Sequence, residues 1–287
     1  MSTELPLALR ATSAGLRLLS GIAPGVAAKT AGNLFCTPRR HRRPAAETAI
    51  LESARPFDIR MGLTRLAGWT WGAGPAVLLA HGWEGRGAQL HSLVDPLVEA
   101  GYSVVAWDAP GHGESPGKRS SLVEMADAVW SVARHLGEVH GVIAHSMGCA
   151  AAGLAIAEGL PVERAAFVAG PSNMLQYTVQ FAEMLGLSSP VRERMIALME
   201  AQYHVRLADM DFERFALPER VGLLVVHDAD DKEVDIEQGR LVARSWPRAQ
   251  LMETSGYGHR RILRAPEVVE RLVGWMTQTA PTAHAQS

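Results

Sequence analysis

The chain has 287 residues, 47% of them hydrophobic, and a formal net charge of −2. That is enough apolar material for one full-sized core, and one α/β domain with an insertion fits the length better than two independent domains. The near-zero charge and 6% aromatic content offer no basic face for nucleic acid. Two cysteines far apart, Cys36 and Cys149, argue against a disulfide framework and fit a reducing compartment.

From Leu5 to Leu34 the chain is rich in Ala, Leu and Gly, and Arg10 and Arg17 interrupt the apolar run. It is too broken for a membrane span, and Glu4 stands where an export signal carries positive charge. The expected element is an amphipathic helical arm that packs on the body or mediates pairing into a homodimer. The basic run Arg39-Arg40-His41-Arg42-Arg43 reads as a solvated linker, with an anionic membrane surface as the minority alternative. No stable membrane insertion is expected, and the missing export signal points to the cytoplasm.

A helix is predicted over Ala45 to Ala54, then strands at Phe57-Asp58-Ile59 and Leu66 to Trp71. Val77 to Ala80 is a short buried strand ending in His81-Gly82-Trp83. Gln89 to Ala100 has helical spacing and Gly101 to stop it. Tyr102 to Trp107 is the next strand, closed by the turn-rich run Asp108 to Ser115. Leu122 to Leu136 is a helix. A strand then runs into Ser146, followed by the helix Met147 to Glu158. Further strands are expected at Ala165 to Ala169, Leu223 to His227 and Gln250 to Thr254, with helices at Ile236 to Trp246 and Pro266 to Met276. Such alternation predicts a mostly parallel, roughly eight-stranded sheet with helices on both faces.

About fifty residues between Gly170 and Leu223 have helical spacing and no strand-like run, far longer than an ordinary connection. Asn173 can cap a helix carrying Met174, Tyr177, Phe181, Met184 and Leu185. Ser189-Pro190 can start a second, with Met195, Ile196 and Met199. This is a helical cap over the sheet edge. Five of the eleven methionines (Met174, Met184, Met195, Met199, Met210) lie inside it and suit an adaptable apolar wall. Met174, Tyr177, Phe181 and Met184 are the pocket candidates, against the alternative that they only pack cap onto body.

Val139 to Ala150 is the most informative stretch. An apolar run ends at Ser146 and small helix-forming residues follow at once, which describes a sharp strand-to-helix turn that lifts the hydroxyl above the sheet. Ala144 stands at the first glycine position of G-x-S-x-G. A serine nucleophile needs a base, and the base an orienting acid. The strand Leu223 to His227 delivers the acidic loop Asp228-Ala229-Asp230-Asp231, and Gln250 to Thr254 delivers Gly258-His259. Parallel strands bring all three loops to one sheet edge, and any of Asp228, Asp230 and Asp231 has the reach to meet His259.

In these motifs the chain resembles an α/β-hydrolase fold serine hydrolase of the esterase and lipase kind, from about Phe57 to Met276. The matching pieces are His81-Gly82-Trp83, Asp108 to Ser115, the Ser146 turn, Asp231-x-x-Val234 and Gly258-His259. The family's acid commonly precedes a valine by three positions, which selects Asp231; Asp235 stands where the family has proline. The resemblance implies Ser146 as nucleophile, His259 as base and Asp231 as orienting acid. It implies an oxyanion hole from the backbone N–H groups of Trp83 and Met147, and needs no metal or organic cofactor. The implied division is an N-terminal helical arm and basic linker (1–54), the first core part (55–170), the cap (171–220), the second core part (221–277) and a polar tail (278–287).

Other residues have plainer readings. His81 and Asp108 are expected to make structural hydrogen bonds, and His112 to belong to a turn. His145 should point away from Ser146, and Cys149 should be a small buried thiol. Trp83 has a ring suited to the acyl pocket, while Glu84 and Arg86 either read a polar substrate group or face water. The expected activity is hydrolysis of a carboxylic ester with a small or medium apolar acyl group. The same trio serves amide, peptide and thioester hydrolysis and acyl transfer, since fold and trio set the reaction and not the substrate. A peptidase acting on a free amine would draw on Glu183, Glu193 or Glu200. An aspartate nucleophile, as in dehalogenase and epoxide hydrolase chemistry on this fold, is absent from the turn. A non-catalytic ligand-binding protein on the same scaffold is the reading from a different class.

Overall fold

A computed structural model describes residues 7–215 and 217–278. The first six residues and, beyond Gln278, the polar tail lie outside the described residues. Eight strands form one sheet: β1 (Arg55–Met61), β2 (Thr64–Trp71), β3 (Ala76–Ala80), β4 (Ser103–Trp107), β5 (Gly141–His145), β6 (Arg164–Val168), β7 (Gly222–Asp228) and β8 (Gln250–Thr254). Their order is β1-β2-β4-β3-β5-β6-β7-β8. The β1–β2 and β2–β4 pairs are antiparallel and the rest parallel. β3, β5 and β6 are buried along their whole length, as strands covered on both faces must be.

Side-chain alternation sorts these apolar runs onto two faces. Leu78, Val105, Val142, Ala165, Phe167 and Val225 share one core with α5 (Leu122–Leu136) and α6 (Met147–Ala157). Val77, Leu79, Val104, Ile143, Ala166 and Val226 share the other with α4 (Val94–Glu99) and α11 (Pro266–Thr277). The helix expected over 89–100 is split: a 3-10 stretch, Gly87–Leu93, leaves helical geometry at Leu90 before α4 begins. Pro96 lies in the first turn of α4, where its missing N–H costs nothing.

The arm consists of α1 (Leu7–Ile22) and α2 (Pro24–Phe35), and α3 (Ala45–Glu52) follows the basic run. The segment 171–220 carries α7 (Met174–Met184) and α8 (Ser189–Tyr203). Asn173 caps α7, its side chain accepting from the Gln176 N–H at 2.8 Å. The arm rests on this cap rather than on the sheet: the buried small residues Ala28, Ala31 and Gly32 of α2 let Met195 and Met199 of α8 approach the α2 backbone. α9 (Ile236–Ser245) is N-capped by Asp235, whose carboxylate accepts from the Glu237 N–H at 2.9 Å. A capping carboxylate thus occupies the position where proline is usual.

The basic run is exposed from Arg39 to Arg42, as a solvated linker is, and is also tied down by its side chains. Arg39 makes a two-pronged pair with Glu84. Arg40 donates to the carbonyls of Gly111, Ser115 and Gly117. Arg43 pairs with Glu114 and lies over the Trp69 ring. Guanidinium forks suit clustered carbonyls and carboxylates, and here they strap the arm across the loops at the C-terminal edge of the sheet. Among the described residues no helix is long and apolar enough to cross a membrane.

Candidate active site

Ser146 lies between β5 and α6 with φ 54° and ψ −127°, a conformation that costs a non-glycine residue about 1–3 kcal/mol. Its surroundings accept this turn only because they are small. A Cβ on Gly148 would sit 2.5 Å from the His81 carbonyl oxygen, and one on Gly170 would sit 2.6 Å from Cys149 Cβ. Ala144, fully buried in β5, is accommodated in place of glycine, and Cys149 donates back to its carbonyl at 3.3 Å.

Parallel strands bring the two distant loops to this turn. The Ser146 Oγ lies 3.0 Å from His259 Nε2, and His259 Nδ1 lies 2.7 Å from Asp231 Oδ2. The Asp231 carboxylate has no solvent exposure. Its other oxygen accepts from the N–H groups of Glu233 and Val234 at 2.8 and 3.0 Å. Burial opposes ionisation, yet the hydrogen bonds from His227, His259 and the Val234 N–H outweigh it and hold the carboxyl well below the usual range. Asp231 is therefore a fixed anion beside the Nδ1–H of His259.

The two competing aspartates have other work. Asp228 accepts from the backbone N–H groups of Gly258, Tyr257 and Asp230 and from the Thr254 hydroxyl. It pins the loop that presents His259 to the end of β7. Asp230 accepts from the Gly256 N–H at 2.9 Å. Their spacing along one loop sends each to a different donor, and Asp231 alone of the three lies against the His259 ring.

Two buried histidines support the trio, and strand periodicity alone gives little sign of their part. The His145 Nε2–H donates to the His259 carbonyl at 2.8 Å and the two rings lie 4.8 Å apart. Burial holds His145 down to about 3, neutral. His227, fully buried at the end of β7, places Nε2 2.9 Å from the Val234 carbonyl and 3.5 Å from Asp231 Oδ2. A Cβ on Gly239 would lie 2.4 Å from its ring, so that glycine makes room for it. The only sequence signal was a histidine on the strand beside each catalytic candidate.

The opposite side of Ser146 is formed by the loop after β3. A Cβ on Gly82 would stand 2.7 Å from Ser146 Cβ, so this backbone touches Ser146 and carries Trp83 beside it. The Met147 N–H opens α6, where no acceptor within the helix serves it. His81 donates from Nδ1 to the Gly82 carbonyl at 2.7 Å and accepts at Nε2 from the Ala109 N–H at 2.9 Å. Both ring nitrogens are used, and burial keeps the ring neutral, down to about 4. His112 donates to the Pro110 carbonyl and accepts from the Glu84 N–H. Asp108 accepts from the N–H groups of Gly87 and Glu114. Arg86 reads no substrate: it forms a buried pair with Glu47 of α3.

A cavity of about 200 Å³ opens beside this constellation. Trp83 and Met147 form part of its wall, with all four pocket candidates, Met174, Tyr177, Phe181 and Met184. Met199 and Met210 join them, while Met195 is buried against α2 instead. The arm closes the remaining side with Leu34, Phe35 and Cys36; the Phe35 ring lies 5.0 Å from that of Phe181. Sequence spacing gave no sign that the arm lines the pocket. None of Glu183, Glu193 and Glu200 lines it, and the acidic residue in its wall, Glu84, is held by Arg39 and His41.

Residues 73–212, just under half of the chain, match the family model described as serine aminopeptidase, S33. That span includes Ser146 and ends before Asp231 and His259. Comparison with curated proteins gives no match. Solved structures share the architecture. An esterase from Pyrococcus furiosus is 17% identical with a TM-score of 0.63, over 84% of this chain and 98% of its own. An esterase from Exiguobacterium antarcticum is 17% identical with a TM-score of 0.60, over 78% and 100%. A bromoperoxidase from Bacillus anthracis is 18% identical with a TM-score of 0.59, over 78% and 100%. From the sheet order, the strained serine turn and these likenesses together, the chain is an α/β-hydrolase fold protein.

Proposed function

We propose that the protein is a serine hydrolase that cleaves a carboxylic ester of a small or medium apolar acyl group. The observation that carries this is the unbroken chain of contacts from Ser146 through His259 to the buried Asp231; Met147, next in sequence to Ser146, lines a mostly apolar cavity together with Trp83. In this reading Ser146 Oγ attacks the ester carbonyl carbon while His259 Nε2 takes its proton. Charge gathers on the carbonyl oxygen, where the N–H groups of Trp83 and Met147 receive it; one such donor is typically worth ~3 kcal/mol. The C–O bond to the alcohol breaks as His259 returns the proton to the leaving oxygen. Water, deprotonated by His259, then releases the acid from Ser146. Asp231 holds the imidazole in the tautomer that leaves Nε2 free to accept. The methionine-rich wall and the arm receive the acyl group.

A peptidase acting on a free amine is the second reading, favoured by the description of the matching family model. Against it, the acidic wall residue Glu84 already has a cationic partner in Arg39, so a substrate ammonium would have to displace it. Fluorophosphonate labelling beside 4-nitrophenyl esters of rising chain length, with amino acid 4-nitroanilides as the contrast, tests both. Labelling and ester turnover that vanish in Ser146→Ala are expected. Faster cleavage of the anilides would select the peptidase, and a folded protein with neither labelling nor turnover would sink the catalytic reading in favour of a ligand-binding role.

A further inference from the structure

The loop after β3 turns sharply just beyond Gly82, whose backbone touches Ser146. The Gly85 N–H donates to the Gly82 carbonyl at 3.0 Å, which closes a β-turn with Trp83 and Glu84 at its centre. Glu84 has φ 55°, and a positive φ at the third position of a turn is where glycine or asparagine is usual. Glycine takes that conformation freely, whereas a residue with a Cβ is strained in it. The bonds that hold the glutamate there come from the arm. Arg39 donates to both carboxylate oxygens of Glu84, from Nε at 2.9 Å and from Nη2 at 3.0 Å. Its backbone N–H donates to Oε1 as well, at 3.2 Å. A lone exposed ion pair contributes little, but here a guanidinium fork and a main-chain N–H converge on one carboxylate. The Glu84 N–H donates to His112 Nε2 at 3.2 Å, so Glu84 is tied to the neighbouring loop by its backbone and to the arm by its side chain. Four residues before Arg39, the Phe35 ring stacks beside that of Trp83, centroids 6.5 Å apart.

We propose that Arg39 is a positioning residue for the reaction: by clamping Glu84 it holds the strained turn, and with it the Trp83 N–H, in place beside Ser146. This deepens the serine-hydrolase reading, in which that N–H receives charge from the substrate carbonyl, and rests on it. Arg39 touches no reacting atom; its effect passes through Glu84 to Trp83. The benefit of such a donor exists only in the transition state, so a turn that wanders loses rate rather than substrate binding. The arm then serves the chemistry as well as the cavity wall.

The test is the kinetics of position 39 and 84 variants on 4-nitrophenyl acetate. Arg39→Ala is expected to lower kcat by roughly 5–10-fold, the size of a charged hydrogen bond discounted for exposure, with KM within about twofold of wild type. Arg39→Lys, which offers a single prong, should fall in between. Glu84→Ala keeps the strained backbone without the clamp and should lose as much as Arg39→Ala. Glu84→Gly removes clamp and strain together and should stay within about twofold of wild type. Adding Arg39→Ala to Glu84→Gly should then change little, because the two residues act through one contact. An unchanged kcat in Arg39→Ala, a rise in KM alone, or a full further loss on adding Arg39→Ala to Glu84→Gly would overturn the proposal. Hydrogen exchange of the Glu84 and Gly85 amides reads the turn without turnover, and it should quicken in Arg39→Ala more than in Arg39→Lys. Quickened exchange, with neither labelling nor turnover by wild type, would remove the hydrolase reading and keep the clamp. Unchanged exchange would remove the clamp itself.

Discussion

The loop after β7 carries three aspartates within four positions, and each has a different set of donors. Asp231 faces His259, while Asp228 collects the N–H groups that shape the His259 loop. Their substitutions should therefore separate activity from stability. Asp231→Asn is expected to cut kcat by roughly 10³–10⁴-fold, the usual cost of losing the correct imidazole tautomer, with a small change in Tm. Asp228→Ala leaves buried N–H groups without an acceptor and should cost about 3 kcal/mol or more, read by urea denaturation. Equal losses of stability in the two would contradict this division. Gly82→Ala drives a methyl against Ser146, so the loop after β3 must retreat. A fall in kcat of ~100-fold or more with KM little changed is expected, measured on a short ester.

At the scale of elements, most of the helices and strands were legible because their apolar periodicity is strong: β3, β5, α5 and the cap helices lie where spacing places them. The 3-10 stretch before α4 was not, since helical spacing does not distinguish one continuous helix from two joined at a kink. The arm shows the same limit. Its composition signalled an amphipathic helical arm, but nothing local says which surface that arm meets. It meets α8, and at Gly32 a Cβ would find Met199 Cγ at 3.4 Å and Met195 Cγ at 3.5 Å, ordinary contact distances. Gly32→Ala is therefore expected to stabilise by about 0.5–1 kcal/mol through helix propensity, raising Tm by about 1–3 °C. A lower Tm would mean that α2 and α8 cannot accept the methyl.

Across the whole molecule, three histidines near the site are buried and neutral: His81 is held down to about 4, and His112 and His145 to about 3, burial being the main cause in each. Their unfolded value is about 6.5, so the unfolded chain binds protons that the folded one refuses. Stability is then fully present above about pH 6.5 and lost as pH falls from there toward 4 and 3. Each ring contributes at most about 1.4 kcal/mol per pH unit. Asp231 acts in the same direction lower down, because its depressed value makes its contribution disappear only as pH falls below the usual carboxylate range. Urea midpoints should hold level from pH 7.5 to about 6.5 and decline from there to 4.5; a flat profile would mean that these rings are protonated in the fold. His81→Asn should flatten one third of the slope between pH 6 and 4.5.

Periodicity, turn residues and the order Ser, Asp, His were local properties, and from them the sequence by itself determined the fold class, the serine turn, the two loops and the cap helices that line the cavity. Packing decided the rest, because contact partners far apart in sequence leave no local trace. Only the tertiary structure sent Asp231 rather than Asp228 to His259 by geometry, put His145 and His227 behind that pair, and turned the basic run into a strap over the loops. It also brought Cys36, 84 residues upstream, against Ser120, so that the arm closes one side of the cavity, a contact that neither segment announces alone.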